Sequence, residues 1–213
     1  MKLVSKMFAL TALAIACSAA CAAEATPLTV TGNITPNACD PVIDNRGVID
    51  FGEIVSSSLS NSANENKMPT QHVNFNVTCP AATKLIFSMK ENKPGTSYLI
   101  MSFYFGLGVD KSGNKIGTAA IWLSNPTIDG VAGSILASVN KGASWSTPAS
   151  SQVMAPVAGT VYNITTAGSR APTDARKFGG TFDVDGWIAP RNQLDTTDIV
   201  QIDGSVTMNF AYL

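Results

Sequence analysis

The chain has 213 residues, of which 14 are basic and 15 acidic, giving a formal net charge of −1, and only 14% of its residues are charged. That length supports a single domain with a sizeable core, and a balance this neutral, with no basic patch, excludes nucleic acid as a partner. Richness in Ser, Thr, Asn, Gly and Val favours β-structure and polar loops over helices.

Lys2 and Lys6 precede an apolar run over residues 7–16, followed by small residues through Ala23. This is the layout of an export signal, because the run is shorter than the ~20 apolar residues that a membrane-spanning helix needs. The small-x-small step Ala20-Cys21-Ala22 places the cut after Ala22, with a cut after Ala23 the neighbouring alternative, so residues 1–22 are expected to be a signal peptide. A lipid anchor on Cys17 or Cys21 is disfavoured, since Ala14 and Ser18 stand where such signals carry a Leu-like residue. Cys39 and Cys79 then remain, and in an exported chain two cysteines are expected to pair.

Turn signals punctuate the rest: Asn45-Arg46-Gly47, Lys93-Pro94-Gly95, Asp129-Gly130, Asn140-Lys141-Gly142, Asp185-Gly186 and Asp203-Gly204. Between them the period-two pattern predicts short strands over 28–34, 48–54, 73–79, 85–89, 103–109, 118–123, 161–165, 180–184 and 205–213. Val73, Phe75, Val77 and Cys79 share one strand face, as do Val206, Met208, Phe210 and Tyr212. Residues 110–117 read as a hairpin connection, 61–70 as a polar loop and 142–159 as a loop. No helical period is sustained after the leader and no second domain is visible. Many short strands at this spacing predict an all-β sandwich.

Sequence chemistry argues against an enzyme. His72 is the only histidine, beside a strand start, and no second ligand type accompanies it for zinc. No nucleophile elbow, phosphate loop or dinucleotide glycine pattern appears, so no catalytic residue, metal or cofactor is expected. Asp183 and Asp185 share a strand face and read as solvent-facing residues before a turn, with a sugar or calcium site the alternative. Among the tryptophans, Trp122 is expected in the core, while Trp145, in a polar loop, is the candidate for ligand contact.

Several segments resemble the subunits of chaperone–usher fimbriae, in the β-fimbria branch. The resemblance rests on Gly32-Asn33-Ile34-Thr35-Pro36-Asn37-Ala38-Cys39, on Val48-Ile49-Asp50-Phe51-Gly52-Glu53-Ile54 with Leu59, and on the Val73–Cys79 strand. It also rests on Phe105–Asp110, Gly113–Gly117, Asp203–Met208 and the penultimate aromatic Tyr212. One departure is Val200, which stands where pilins often carry a glycine; Gly204 is the nearest.

The resemblance implies an incomplete immunoglobulin-like β-sandwich over residues 35–213, completed by a donor strand from another chain. Residues 23–34 would be the N-terminal donor-strand extension, with Leu28, Val30, Gly32 and Ile34 facing a neighbour's groove. Val206, Met208, Phe210, Tyr212 and Leu213 would form this subunit's own acceptor groove and chaperone contact. The implied partners are a periplasmic chaperone, an outer-membrane usher and neighbouring fimbrial subunits, with export through the periplasm to a surface fimbrium. The implied role is a polymerising structural subunit in bacterial attachment. The alternative is a single-domain tip adhesin or a secreted carbohydrate-binding β-sandwich using Trp145.

Overall fold

The structure, a computed structural model, describes residues 38–62 and 66–213. The expected donor segment, with Leu28, Val30, Gly32 and Ile34, lies outside the described residues, as does the expected signal peptide.

Alternation builds the longest strands. In β2 (Gln71–Thr83), Val73, Phe75, Val77 and Cys79 point inward and are buried, while His72, Asn74, Asn76 and Thr78 are exposed. In β9 (Ala175–Ile188), Phe182, Val184, Gly186 and Ile188 alternate in the same way with Asp183, Asp185 and Trp187. The other strands are β1 (Asp40–Ile43), β3 (Leu85–Glu91), β4 (Tyr104–Gly106), β5 (Gly117–Ile128), β6 (Val131–Ser138), β7 (Ser151–Met154), β8 (Val161–Thr166) and β10 (Val206–Tyr212). Helix among the described residues is confined to short 3-10 turns such as Ser56–Ser58 and Arg191–Gln193.

The strands pair antiparallel in the order β1-β2-β9-β5-β6-β8-β3-β10, and the sheet curls so that its two halves face one another as a β-sandwich. The hairpin between β5 and β6 carries the chain from one layer to the other. Its Asp129-Gly130 turn has φ of 47° and 83°, the left-handed pair that matches strand twist in tight hairpins. Aromatic rings join the layers. Phe75 stacks on Phe182 at 4.6 Å and meets Phe87 of the opposite layer at 6.4 Å, and Phe87 in turn reaches Tyr162 at 5.7 Å.

Several expectations need correction. Residues 48–54 form no strand, because among the described residues no edge lies beside them to complete a ladder. The expected loop over 142–159 contains β7, which pairs with β5 from Ile121↔Met154 to Ser124↔Ser151; the available edge of β5, rather than a strong local pattern, makes it a strand. β1 and β6 were not anticipated, and the strand expected over 103–109 is only Tyr104–Gly106. β5 runs on past its expected end through Pro126, which a register shift between Ser124 and Thr127 accommodates. Trp122 is not in the core: it is 38% exposed on the outer face of β5.

Candidate functional site

The path of strands has two ends, β1 and β10, and beside them lies backbone that carries no ladder among the described residues. Cys39 and Cys79 are disulfide-bonded, as expected, tying the start of β1 to the inner face of β2. Cys39 N–H also donates to Tyr212 Oη at 2.9 Å, so the penultimate aromatic residue bridges the two outermost strands.

β10 brings Val206, Met208, Phe210 and Tyr212 of the expected acceptor residues onto one face, while Leu213 lies past its end. Val206, Met208 and Phe210 are half-buried and pack on the core, with Phe210 6.4 Å from Phe87. Tyr212 and Leu213 are exposed. One edge of β10 pairs with β3 throughout, from Val206↔Glu91 to Tyr212↔Leu85, and among the described residues its other edge carries no ladder.

Where β1 and β10 give out, their continuations diverge around a cleft of about 990 Å³. One wall is residues 48–55, which follow β1; the other is residues 194 and 196–202, which precede β10. Ile49, Phe51 and Ile54 face Leu194, Val200 and Ile202 across it, all partly buried and all packed against the core. Phe51 sits so close to Gly186 that a Cβ there would lie 2.9 Å from its ring, which explains a glycine inside β9. The walls are bare backbone: among the described residues, the N–H groups of Ile49, Phe51, Glu53, Ile54, Val200 and Ile202 have no hydrogen-bond partner. Unpaired backbone flanking an apolar trough is the surface that an added strand satisfies.

A polar latch sets the position of the second wall. Asp110 is buried; burial opposes its ionisation, yet N–H donors from Asp195, Asn114 and Ser112 and the Asn114 amide hold its carboxyl below the ordinary value. Asp195 accepts from Ser112 Oγ at 2.6 Å and from the Thr197 hydroxyl and N–H, which lowers its pKa to about 2. The 110–114 turn thus grips the chain at 195–197, just where it enters the cleft.

Sequence reasoning located the β10 face but missed Ile49, Phe51, Ile54, Leu194, Val200 and Ile202 as a lining. A signal was present: Val200, Ile202, Val206, Met208, Phe210 and Tyr212 have one parity, so the period-two pattern extends upstream past Gly204. Val200, noted for standing where a glycine is usual, is part of the cleft wall. Gly204 instead packs on Leu107, where a Cβ would lie 3.1 Å from a methyl carbon. Trp145 is half-buried, lies over Gly142 and sits away from the cleft lining. His72 projects from the outer face of β2 with Nδ1 2.6 Å from Asp183 Oδ1. Among the described residues no group of His, Cys, Asp and Glu side chains is arranged to hold a metal ion.

Fold and site together define an antiparallel β-sandwich with a Cys39–Cys79 disulfide and, among the described residues, no ladder across the seam between its outermost strands. Comparison with known proteins adds relatives. Residues 28–101, which include both bridge cysteines and the first cleft wall, match the family described as "Protein of unknown function (DUF1120)". The chain is 32% identical over 133 residues to "Protein GltF" of Escherichia coli (strain K12), an alignment that covers 52% of this chain and spans about half the length of that relative (52%). It is 22% identical over 223 residues to "Uncharacterized protein YhcF" of the same organism, covering 90% of this chain and 92% of that one.

Proposed function

We propose that the chain is a structural subunit of a chaperone–usher fimbria that polymerises by strand exchange and contributes to bacterial attachment. The cleft carries the assignment: a trough lined by Ile49, Phe51, Val200 and Ile202 between two segments that carry no ladder among the described residues, continuous with the edge of β10 that likewise carries none. A closed sandwich would bury Ile49, Phe51, Val200 and Ile202 beneath a strand of its own. Among the described residues no strand covers them, and the N–H and C=O groups of an incoming strand would pair with the walls while its alternate side chains fill the trough.

On this assignment Leu28, Val30, Gly32 and Ile34 of a neighbouring subunit supply that strand within the fibre. A periplasmic chaperone supplies it beforehand and an outer-membrane usher mediates the exchange. Val206, Met208, Phe210, Tyr212 and Leu213 form the edge against which either donor lies. The Cys39–Cys79 bridge suits folding in an oxidising periplasm on the way to the cell surface. No catalytic role and no nucleic-acid partner belongs to this function.

A synthetic peptide copying residues 23–34 tests it. Added to the isolated chain, the peptide should raise the melting temperature and suppress self-association into polymers. A stably monomeric chain that ignores the peptide over a wide concentration range would remove the proposal.

A further inference from the structure

The outer face of the β2-β9-β5 layer carries a second surface, remote in kind from the cleft. Strand register places His72, Asp183, Trp122 and Val153 side by side across β2, β9, β5 and β7. In the neighbouring rows stand Asp185 and Trp187, both on the same face of β9. Adjacent strands are ~4.8 Å apart, so the Asp183 carboxylate lies directly beside the exposed indole of Trp122. Trp122 and the residue paired with Trp187, Thr118, are four residues apart on β5, so the two tryptophans are separated by about 13 Å along the strand direction at ~3.3 Å per residue; Asp183 is level with Trp122, and Asp185, paired with Ala120, stands between the two.

These groups are held in place with bonding capacity left over. Asp183 uses Oδ1 for His72, and Asp185 uses Oδ1 for both Thr70 Oγ1 at 2.7 Å and Lys67 Nζ at 3.1 Å. The Oδ2 atom of each carboxylate has no partner among the described residues, and neither does the indole N–H of Trp122. Both carboxylates are mostly sunk into the face, with side-chain exposures of 25% and 17%, so their geometry is fixed before any ligand arrives. Trp187 is fixed too: Lys67 lies 5.3 Å from its ring centre and Tyr104 packs against it at 5.9 Å.

We propose that this face binds an uncharged saccharide. An exposed indole offers a flat apolar surface for the C–H face of a pyranose ring, and anchored carboxylate oxygens accept from paired hydroxyls on its rim. The local charge decides the class. The basic groups beside the two carboxylates are both already committed, Lys67 to Asp185 and Trp187 and His72 to Asp183, so sialylated, uronic or sulfated glycans meet anionic oxygens without a free basic partner beside them. The surface is built on paired strands rather than on the loop holding Trp145, which gives it the rigidity that weak polar ligands need.

The test is a glycan array bearing neutral and acidic oligosaccharides, probed with the full chain and followed by tryptophan-fluorescence titration with whichever neutral glycan binds. Neutral glycans alone should bind. Trp122→Ala should weaken binding by roughly tenfold or more, Trp122→Phe should retain part of it, and Asp183→Asn should weaken it by a similar factor. Trp145→Ala should leave it unchanged, and an unaltered melting temperature for each variant would show that the fold is intact. The proposal is overturned if no neutral glycan binds, if acidic glycans are the ones retained, or if Trp122→Ala leaves affinity untouched. It is equally overturned if Trp122→Ala changes self-association instead, since the face would then be a contact between copies.

Discussion

β5 and the segment 48–55 are both rich in apolar residues, yet only one of them is a strand. β5 is paired along both edges, to β9 on one side and to β4, β7 and β6 in succession on the other. Its Leu123 is fully buried. Residues 48–55 carry Ile49, Phe51 and Ile54 in a run with no paired strand among the described residues, and those side chains remain only partly covered. The difference lies in the edge available rather than in the local sequence. Strand formation is largely a matter of fitting a pleated, half-buried surface, and one flank of the sandwich supplies it while the other carries no paired strand among the described residues.

The largest effect should come from the bridge that anchors the open flank. Replacing both Cys39 and Cys79 by Ser releases a closed loop of 40 residues, which on the chain-entropy model costs ~4 kcal/mol. Urea unfolding of the double variant measures it, and an unchanged midpoint would mean that β1 is held by its ladder alone. Next, Leu123→Ala should cost about 3 kcal/mol, because it opens a cavity in packed surroundings. Ile202→Ala, on the cleft wall, should cost about 1 kcal/mol or less in the free chain, where there is little packing to lose. With the 23–34 peptide bound the ranking should narrow, as Ile202 becomes core. Equal costs in the free chain would show that the trough is already filled.

Much of the closed flank was legible in the sequence because there the local pattern and the tertiary environment agree. Val73, Phe75, Val77 and Cys79 point inward as their alternation requires. Misreadings fell where a neighbour decided the outcome. Ser151–Met154 has little strand character of its own and is recruited by the edge of β5, whereas residues 48–54 have it and find no partner. Trp122 was misplaced because an aromatic residue in a strand suits either face, and only the parity fixed by Ile121 and Leu123 turns it outward. The cleft lining could not be read from either wall alone. It is assembled from residues about 150 positions apart in sequence, brought together only when the sheet curls.

A smaller effect, conditional on acidity, should appear at the latch beside the second wall. Asp195 has a folded pKa of about 2 against an ordinary value of 3.8, held down first by the Ser112 hydroxyl and then by Thr197. A depressed carboxylate pKa favours the folded latch above the unfolded value, and that contribution is lost as pH falls through the folded one. The amide resonance of Thr197, whose N–H donates to Asp195, should therefore stay constant down to about pH 3.8 and shift with a midpoint near 2. Asp195→Asn should abolish that transition and loosen residues 195–202. A midpoint near the ordinary value would mean that the hydroxyl contacts do not form in solution.

The smallest effect separates charge from packing as the cause of that wall's position. Lys93 pairs with Asp203 at the far end of the wall, but the two side chains are 41% and 60% exposed. Water and salt screen such a pair, and holding two mobile side chains together costs entropy, so its net worth is about 0.5 kcal/mol or less. Backbone holds the same place more firmly: Asp203 N–H donates to Leu107 O at 2.9 Å, and Gly204 packs on Leu107. Lys93→Ala should thus shift the unfolding midpoint barely, and high salt should erase what shift there is. Gly204→Val, which forces a branched side chain against Leu107, should by contrast displace the wall and weaken peptide uptake. If Lys93→Ala were the more damaging of the two, the open flank would be positioned by charge, and uptake of an incoming strand should then depend steeply on ionic strength.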